Sequence, residues 1–306
     1  MRWNSPLRPR NFRATPDEDR FLTTAHTWHA TYRGRIAPTP TGDMHVGHAR
    51  TFVAAWRRAA DAGGALVLRI EDLDPLRSRD EWTARAIEDL TWLGVQWTEG
   101  PVYQSRRRPV YEATWRALRD AGLVYPSHVS RKEVRDAAHA PHEDEEGSEP
   151  VFPPELRPTA HAGRDAESPA GVVWRFRVPD GEVVRFTDAI RGPQAFTAGV
   201  DFGDFVVWRK DDVPAYELAV VADDVAMGIT EVVRGEDLLR STARQLLVYR
   251  ALGATPPAWC HLPLVRDAEG RRLAKRHQAL SIRELRARGM TPDEVLAQAE
   301  AVRPGA

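Results

Sequence analysis

Two histidines three residues apart, His45 and His48, follow a loop that reads Arg35-Ile36-Ala37-Pro38-Thr39-Pro40-Thr41-Gly42-Asp43-Met44. Neither proline can extend a strand ladder, and Gly42 accepts a dihedral that other residues resist, so this is turn chemistry. A helical pattern takes over at His48, where Ala49, Phe52, Val53, Trp56 and Ala60 recur at three- and four-residue steps. The N–H groups of a helix N-terminus attract anions, and two imidazoles at this spacing can share its first turn. Gly47 has no side chain, so a flat ring can approach the backbone there. The chemistry this arrangement suits is nucleotide binding, with adenine over Gly47 and phosphates near His45 and His48. The plain alternative is a turn with two surface histidines; the strand before it and the helix after it favour function.

A second set of chemical groups is Glu71-Asp72-Leu73-Asp74. Carboxylates at the C-terminal end of a parallel strand lie in the crevice where open α/β sheets bind ligands. Such a group can meet a ligand's ammonium or a Mg²⁺ ion, while Asp74 before Pro75 can simply cap a helix. A third set spans Asp212–Asp224 and Glu231–Asp237. A planar guanidinium matches a ligand carboxylate in bidentate fashion, and Arg35 and Arg234 stand near strand ends. Tyr216 offers a hydroxyl and a flat wall. The structural alternatives are a core tyrosine and an ion pair of Arg234 with Glu236 or Asp237. The fourth set is Arg271-Arg272-Leu273-Ala274-Lys275-Arg276-His277, and Lys275 is one of only three lysines, with Lys132 and Lys210. A mobile cationic loop is suited to the negative charge that builds on phosphate oxygens during in-line attack.

The elements that position these groups begin with a strand at Tyr32–Ala37, a helix from His48 that Gly63-Gly64 stops, and a buried strand at Ala65–Ile70. That is a βαβ unit. Arg79–Leu93 and Pro109–Ala121 have helical patterns. Residues 138–170 lose periodicity and read as a solvated, mobile acidic insertion. Val172–Val178 and Val183–Phe186 alternate around Pro179-Asp180-Gly181, which signals a hairpin. Strands are expected at Phe205–Trp208, Ile229–Val233 and His261–Val265, and helices at Tyr216–Val221 and Thr242–Leu252.

The motifs carry a specific resemblance. Ala37-Pro38-Thr39-Pro40-Thr41-Gly42 with His45-Val46-Gly47-His48 resembles the HIGH-type signature of class I aminoacyl-tRNA synthetases, in the form used by the glutamyl branch. Arg69-Ile70-Glu71-Asp72-Leu73-Asp74-Pro75 resembles the segment that follows it in that branch, and Arg272-Leu273-Ala274-Lys275-Arg276 resembles its KMSKS loop. Arg272 and Ala274 replace the usual lysine and serine there. The resemblance covers roughly residues 33–290. It implies an α/β fold: a Rossmann-like (HUP-type) nucleotide-binding parallel sheet with an inserted α+β connective region and a short helical C-terminal segment. The implied layout is an N-terminal extension at 1–32, a first catalytic half at 33–122 and the connective region at 123–200. A second half at 201–265 then leads into the KMSKS-like loop and C-terminus at 266–306. The implied catalytic residues are His45, His48 and Lys275, and these with Gly47 bind ATP. The implied glutamate pocket is Arg35, Ile36, Ala37, Pro38, Thr39, Glu71, Tyr216 and Arg234.

About thirty residues follow His277, too few for an anticodon-reading domain. The resemblance is therefore to the truncated branch that activates L-glutamate with ATP and Mg²⁺ and attaches it to the queuosine base in the anticodon of tRNA(Asp). Charging of tRNA(Glu), or a non-catalytic RNA-binding role, are the alternatives. Many members of the branch hold zinc in the connective region through a Cys-x-Cys start. Here that stretch reads Tyr125-Pro126-Ser127-His128-Val129-Ser130, and the only cysteine of the chain is Cys260. His128, His139, His142 and His161 lack ligand spacing, so no structural zinc is expected. A net charge of −1 argues against a protein that coats nucleic acid non-specifically. No apolar run is long enough for a transmembrane helix, and a single cysteine without a secretion signal makes a cytoplasmic protein the default; a monomer is expected.

Overall fold

The computed structural model describes residues 32–137, 150–159, 161–265 and 281–301. The chain divides into units at 1–30 and 31–306, and every described residue belongs to the second. The expected extension before Tyr32, the acidic stretch 138–149 and the loop 266–280 with Lys275 lie outside the described residues.

In chain order the first half comprises β1 (Arg33–Ile36), α1 (Val46–Asp61), β2 (Ala65–Ile70), α2 (Asp80–Trp92), β3 (Glu99–Tyr103) and α3 (Arg108–Asp120). The strands run parallel in the order β1-β2-β3, with Arg33 opposite Ala65 and Ile36 opposite Leu68. Strand β2 is apolar except for Arg69, as a strand covered on both faces must be. The connective region supplies β4 (Val124–Ser127), α4 (Arg131–Ala137), β5 (Val173–Phe176), β6 (Val183–Asp188), β7 (Gly192–Thr197) and β8 (Phe205–Trp208). The second half adds α5 (Tyr216–Met227), β9 (Glu231–Gly235), α6 (Leu239–Ala251) and β10 (Ala258–Leu262), and α7 (Ile282–Ala287) and α8 (Pro292–Ala301) follow.

Strands β7-β6-β10-β9 form a second sheet, in which β9 and β10 are parallel and Arg234 pairs with His261. Its β9 end meets β1 of the first sheet: Thr230 N–H donates to Arg33 O at 2.8 Å, and Thr230 Oγ1 accepts from Arg33 N at 2.8 Å. The C-terminal ends of β1, β2 and β9 thereby come to one edge, with the N-terminus of α1 beside them. No helix among the described residues is long and apolar enough to cross a membrane.

Three sequence expectations need correction. Strands β5 and β6 do not form a hairpin with each other. Strand β5 pairs with β4 and β8, whereas β6 turns back through Ala189-Ile190-Arg191 onto β7. Alternation reports a half-buried strand but does not say which strand faces it. The connective region does not end at 200, because β8 completes the β4-β5-β8 sheet and β6 and β7 extend the sheet of the second half. The insertion read as mobile through 170 is packed over its described part. Phe152 is buried, and the Arg157 guanidinium spans Asp204 at 2.7 Å and Asp180, while Tyr125 donates to Asp204 at 2.5 Å. One charged clamp orders a stretch whose composition looks solvated.

Asp89 of α2 is fully buried, its two oxygens accept no hydrogen bond, and its nearest cation is Arg283 Nε at 3.7 Å. Burial pushes its carboxyl up from 3.8 to about 6, opposed by Arg283. The folded state then holds a proton that the unfolded chain has lost between those two values. Stability therefore falls as pH rises through that window and stays lower above it. Asp89→Asn is expected to raise stability by roughly 1–2 kcal/mol at pH 8 and to change it little at pH 4, read by urea unfolding at both pH values.

Candidate active site

The turn after β1 delivers the histidines. His45 caps α1, and its Nδ1 accepts from Gly47 N at 3.1 Å, while His48 Nδ1 accepts from His45 N at 3.3 Å. Each Nδ1 is therefore an unprotonated acceptor, and the proton of each neutral ring resides on Nε2. Both rings are N–H donors at that atom, the form that suits a phosphate oxygen. The rings stack with centroids 3.8 Å apart. The helix begins at Val46 rather than at His48 as expected, because the first histidine is its cap. A Cβ on Gly47 would lie 3.0 Å from the His45 ring, so the flat group nearest that glycine is the protein's own imidazole.

The described ends of the chain around 266–280 lie beside this turn. A Gly47 Cβ would have Val265 at 3.9 Å. On the other side Ser281 bridges to His45, and Ile282 N–H donates to Met44 O at 2.8 Å.

Next to the turn, at the ends of β1 and β2, lies a buried charge cluster. Glu71 N–H donates to Pro38 O at 3.0 Å and joins the two strand ends. Arg69 is fully buried, with Asp224 at 2.6 Å, Glu71 at 3.2 Å and Asp223 at 4.0 Å. Burial works against its charge, but Asp224, Glu71 and Asp223 outweigh burial and raise its pKa. Arg35, also buried, lies 3.7 Å from Asp224 and donates to Val233 O at 3.2 Å. Burial lowers its pKa despite Asp224. The Glu71 carboxyl is pushed up by burial against the pull of Arg69 and Arg35.

Arg234 of β9 is 4% exposed, and its partners differ in kind. Its Nε donates to His261 Nε2 at 3.0 Å, its Nη2 to Thr242 Oγ1 at 2.7 Å and its Nη1 to Tyr216 Oη at 3.4 Å. The Trp259 ring lies 5.1 Å from the guanidinium carbon. Among the described residues no carboxylate is within ion-pair distance of Arg234. Glu236, an alternative partner from sequence, instead binds Arg191 and Leu264 N.

The structure thus brings Arg35, Glu71, Tyr216 and Arg234 within electrostatic reach of one another, since the Tyr216 hydroxyl feels Arg234, Glu71 and Arg35. Tyr216 is 38% exposed, so the cluster opens to solvent on that side. Ile36 is wholly buried in the core, so only its backbone can face a ligand; Ala37, Pro38 and Thr39 line the turn, with Thr39 exposed. Asp72 accepts from Ser105 N and Oγ, and Asp74 from Leu76 N and Arg77, so both have structural partners. Among the described residues no three or more His, Cys, Asp or Glu side chains are grouped to hold a metal ion. Of the histidines weighed as zinc ligands, His128 and His161 are exposed, and His139 and His142 lie outside the described residues.

Sequence reasoning passed over Arg69, Asp224, Asp188, Thr242 and His261. The signals were present: an arginine inside an apolar parallel strand and two adjacent aspartates in an otherwise apolar helix must find one another.

Residues 31–300 match the family of class I tRNA synthetases (E and Q), catalytic domain. The chain belongs to this family. It is similar to the glutamyl-Q tRNA(Asp) synthetase of Nitratidesulfovibrio vulgaris, 46% identical over 84% of this chain and 82% of that one. The corresponding protein of Symbiobacterium thermophilum is also 46% identical, over 86% of this chain and 84% of that one. A glutamate–tRNA ligase of Synechococcus is 42% identical over 85% of this chain. The crystal structure of a glutamate tRNA ligase from Elizabethkingia meningosepticum in complex with its amino acid superposes with a TM-score of 0.68, at 28% identity over 85% of this chain. The chain spans about half the length of these last two, 54% and 53%.

Within this cluster Arg69 is the cation nearest Asp224 and Glu71, while Asp223 also has Arg107 at 2.6 Å. Arg69→Met would leave Asp224 and Glu71 without that buried cation, and is expected to destabilise the fold by about 3–5 kcal/mol, measured by urea unfolding at pH 7.

Proposed function

We propose that this synthetase-family protein activates L-glutamate with ATP and transfers it to the queuosine base in the anticodon of tRNA(Asp). The observation that carries the amino-acid half of this reading is Arg234, a buried guanidinium whose described partners are all neutral. Such a charge is stabilised by a carboxylate on the ligand's side chain, which glutamate has and glutamine replaces with an uncharged amide. Glu71 takes the ammonium end of the substrate and Arg35 supports the acid, while Ala37, Pro38 and Thr39 form the wall between them and the nucleotide. The RNA half is supported by the relatives named as glutamyl-Q tRNA(Asp) synthetases, matched over more than four-fifths of both chains.

The reaction has two steps. A glutamate α-carboxylate oxygen attacks the α-phosphorus of ATP, the α–β bond breaks, and pyrophosphate leaves. The Nε2–H groups of His45 and His48 donate to the phosphate oxygens as negative charge builds, and Lys275 adds a cation from 266–280. A queuosine hydroxyl then attacks the carbonyl of the mixed anhydride, forming an ester and releasing AMP. Orientation and preset donors carry the acceleration, and no covalent enzyme intermediate is required. Mg²⁺ would enter with the nucleotide and supply counter-charge to its phosphates. The compartment is the cytoplasm, where tRNA and ATP are available, and the protein acts as a monomer.

Incubation with ATP, glutamate and queuosine-bearing tRNA(Asp), followed by mass spectrometry of the anticodon fragment, is expected to show one added glutamyl group. Charging of tRNA(Glu) instead would contradict the RNA half. Lys275→Ala is expected to slow glutamate-dependent pyrophosphate exchange by about 10²-fold while glutamate still binds. An unchanged rate removes Lys275 from the mechanism.

A further inference from the structure

We propose that His261, with Asp188 behind it, is a specificity-determining positioning pair: it orients Arg234 through an uncharged acceptor, so that the guanidinium stays aligned yet keeps its full charge for a ligand carboxylate. The inference rests on the reading of Arg234 as the residue that meets the substrate's side-chain carboxylate.

Placement comes from the sheet. Arg234 and His261 are register partners on the parallel strands β9 and β10, so their side chains leave the same face. An arginine Nε is always a donor, so the 3.0 Å contact from it requires a lone pair on His261 Nε2. The ring proton is then on Nδ1, which donates to Asp188 Oδ2 at 2.7 Å. Asp188 is itself fixed. Its Oδ1 accepts from Ile190 N at 2.9 Å and Arg191 N at 2.8 Å, and its Oδ2 accepts from His261 N at 3.0 Å. Burial raises the Asp188 carboxyl, but these bonds and the imidazole outweigh it and leave it below the ordinary value. His261 is fully buried, and burial together with Arg234 lowers its pKa to about 4, so it is neutral near pH 7.

The consequence is electrostatic. A carboxylate placed directly on Nε would hold the guanidinium just as firmly but would cancel its charge. Glutamine would then compete with glutamate on nearly equal terms. Here one neutral ring separates Asp188 from Arg234, and Thr242 Oγ1, Leu238 O and the Tyr216 hydroxyl complete an uncharged cradle. The imidazole sets direction without neutralisation, and Asp188 sets the tautomer.

The test is pyrophosphate exchange with His261→Ala, His261→Gln and Arg234→Leu, each with KM for glutamate and for ATP and the inhibition constant of glutamine. In His261→Gln the new side chain can still present an amide oxygen to Arg234 Nε. The expected result for His261→Ala is a rise in glutamate KM of about 10-fold or more, the loss of one hydrogen bond to a charged group. ATP KM and glutamine inhibition should change less than about twofold, and His261→Gln should recover most of the loss. Equal losses for glutamate, ATP and glutamine in His261→Ala, or no recovery in a folded His261→Gln protein, would overturn the proposal as a merely structural effect. If Arg234→Leu leaves glutamate KM unchanged, the underlying reading of Arg234 fails. If Arg234→Leu raises it and His261→Ala does not, only the role of His261 fails.

Discussion

Two buried arginines, on the strands β2 and β9 that flank β1, are treated in opposite ways, and the proposed site depends on that difference. Arg69 is surrounded by Asp224, Glu71 and Asp223, so its charge is balanced from within the fold. Arg234 is held by an imidazole, a hydroxyl, a carbonyl and a phenol, and Glu217 feels its charge only from beyond ion-pair distance, so among the described residues no direct ion pair meets it. Leaving a cation uncompensated inside a protein costs free energy, and that cost is recovered only when an anion arrives. In the proposed amino-acid pocket this would convert a stability defect into selectivity, because the ligand that relieves it is the one that brings a second carboxylate.

The remaining geometry follows from where the strands end. Strands β1 and β9 meet through Thr230 and Arg33, which sets Arg35 and Arg234 on adjacent strands of one edge. The α1 N-terminus begins ten residues after Ile36, and its cap is His45 itself, so the fold's own capping bond determines which histidine nitrogen carries the proton. Anion attraction by the helix end and donation by the two rings therefore act at one place. Val265 and Ser281 border the same turn, so the chain carrying Lys275 leaves and returns beside the phosphates' proposed position.

Much of this was legible in the sequence, and the reasons it stopped are physical. The first βαβ unit has strong periodicity and clear stop signals, and its elements fall within a residue or two of expectation. The motifs around Arg35, Glu71 and Arg234, rather than their charges alone, single them out; without that context a structural ion pair is the better reading of Arg234. The β5–β6 hairpin misled because period-two patterning is identical for a strand that pairs with its neighbour and one that pairs across the domain. Residues 150–170 misled because composition cannot see Arg157 reaching Asp204. His261 escaped notice because a lone histidine in a strand becomes meaningful only when register places it opposite Arg234.

If the charge of Arg234 is kept for the substrate's side-chain carboxylate, a crystal structure with a non-hydrolysable glutamyl-adenylate analogue will show that carboxylate within hydrogen-bonding distance of the Arg234 Nη atoms and the Tyr216 hydroxyl, with the His261–Arg234 bond intact and the analogue's ammonium at Glu71. A carboxylate bound elsewhere, with Arg234 still facing only neutral groups, would contradict it.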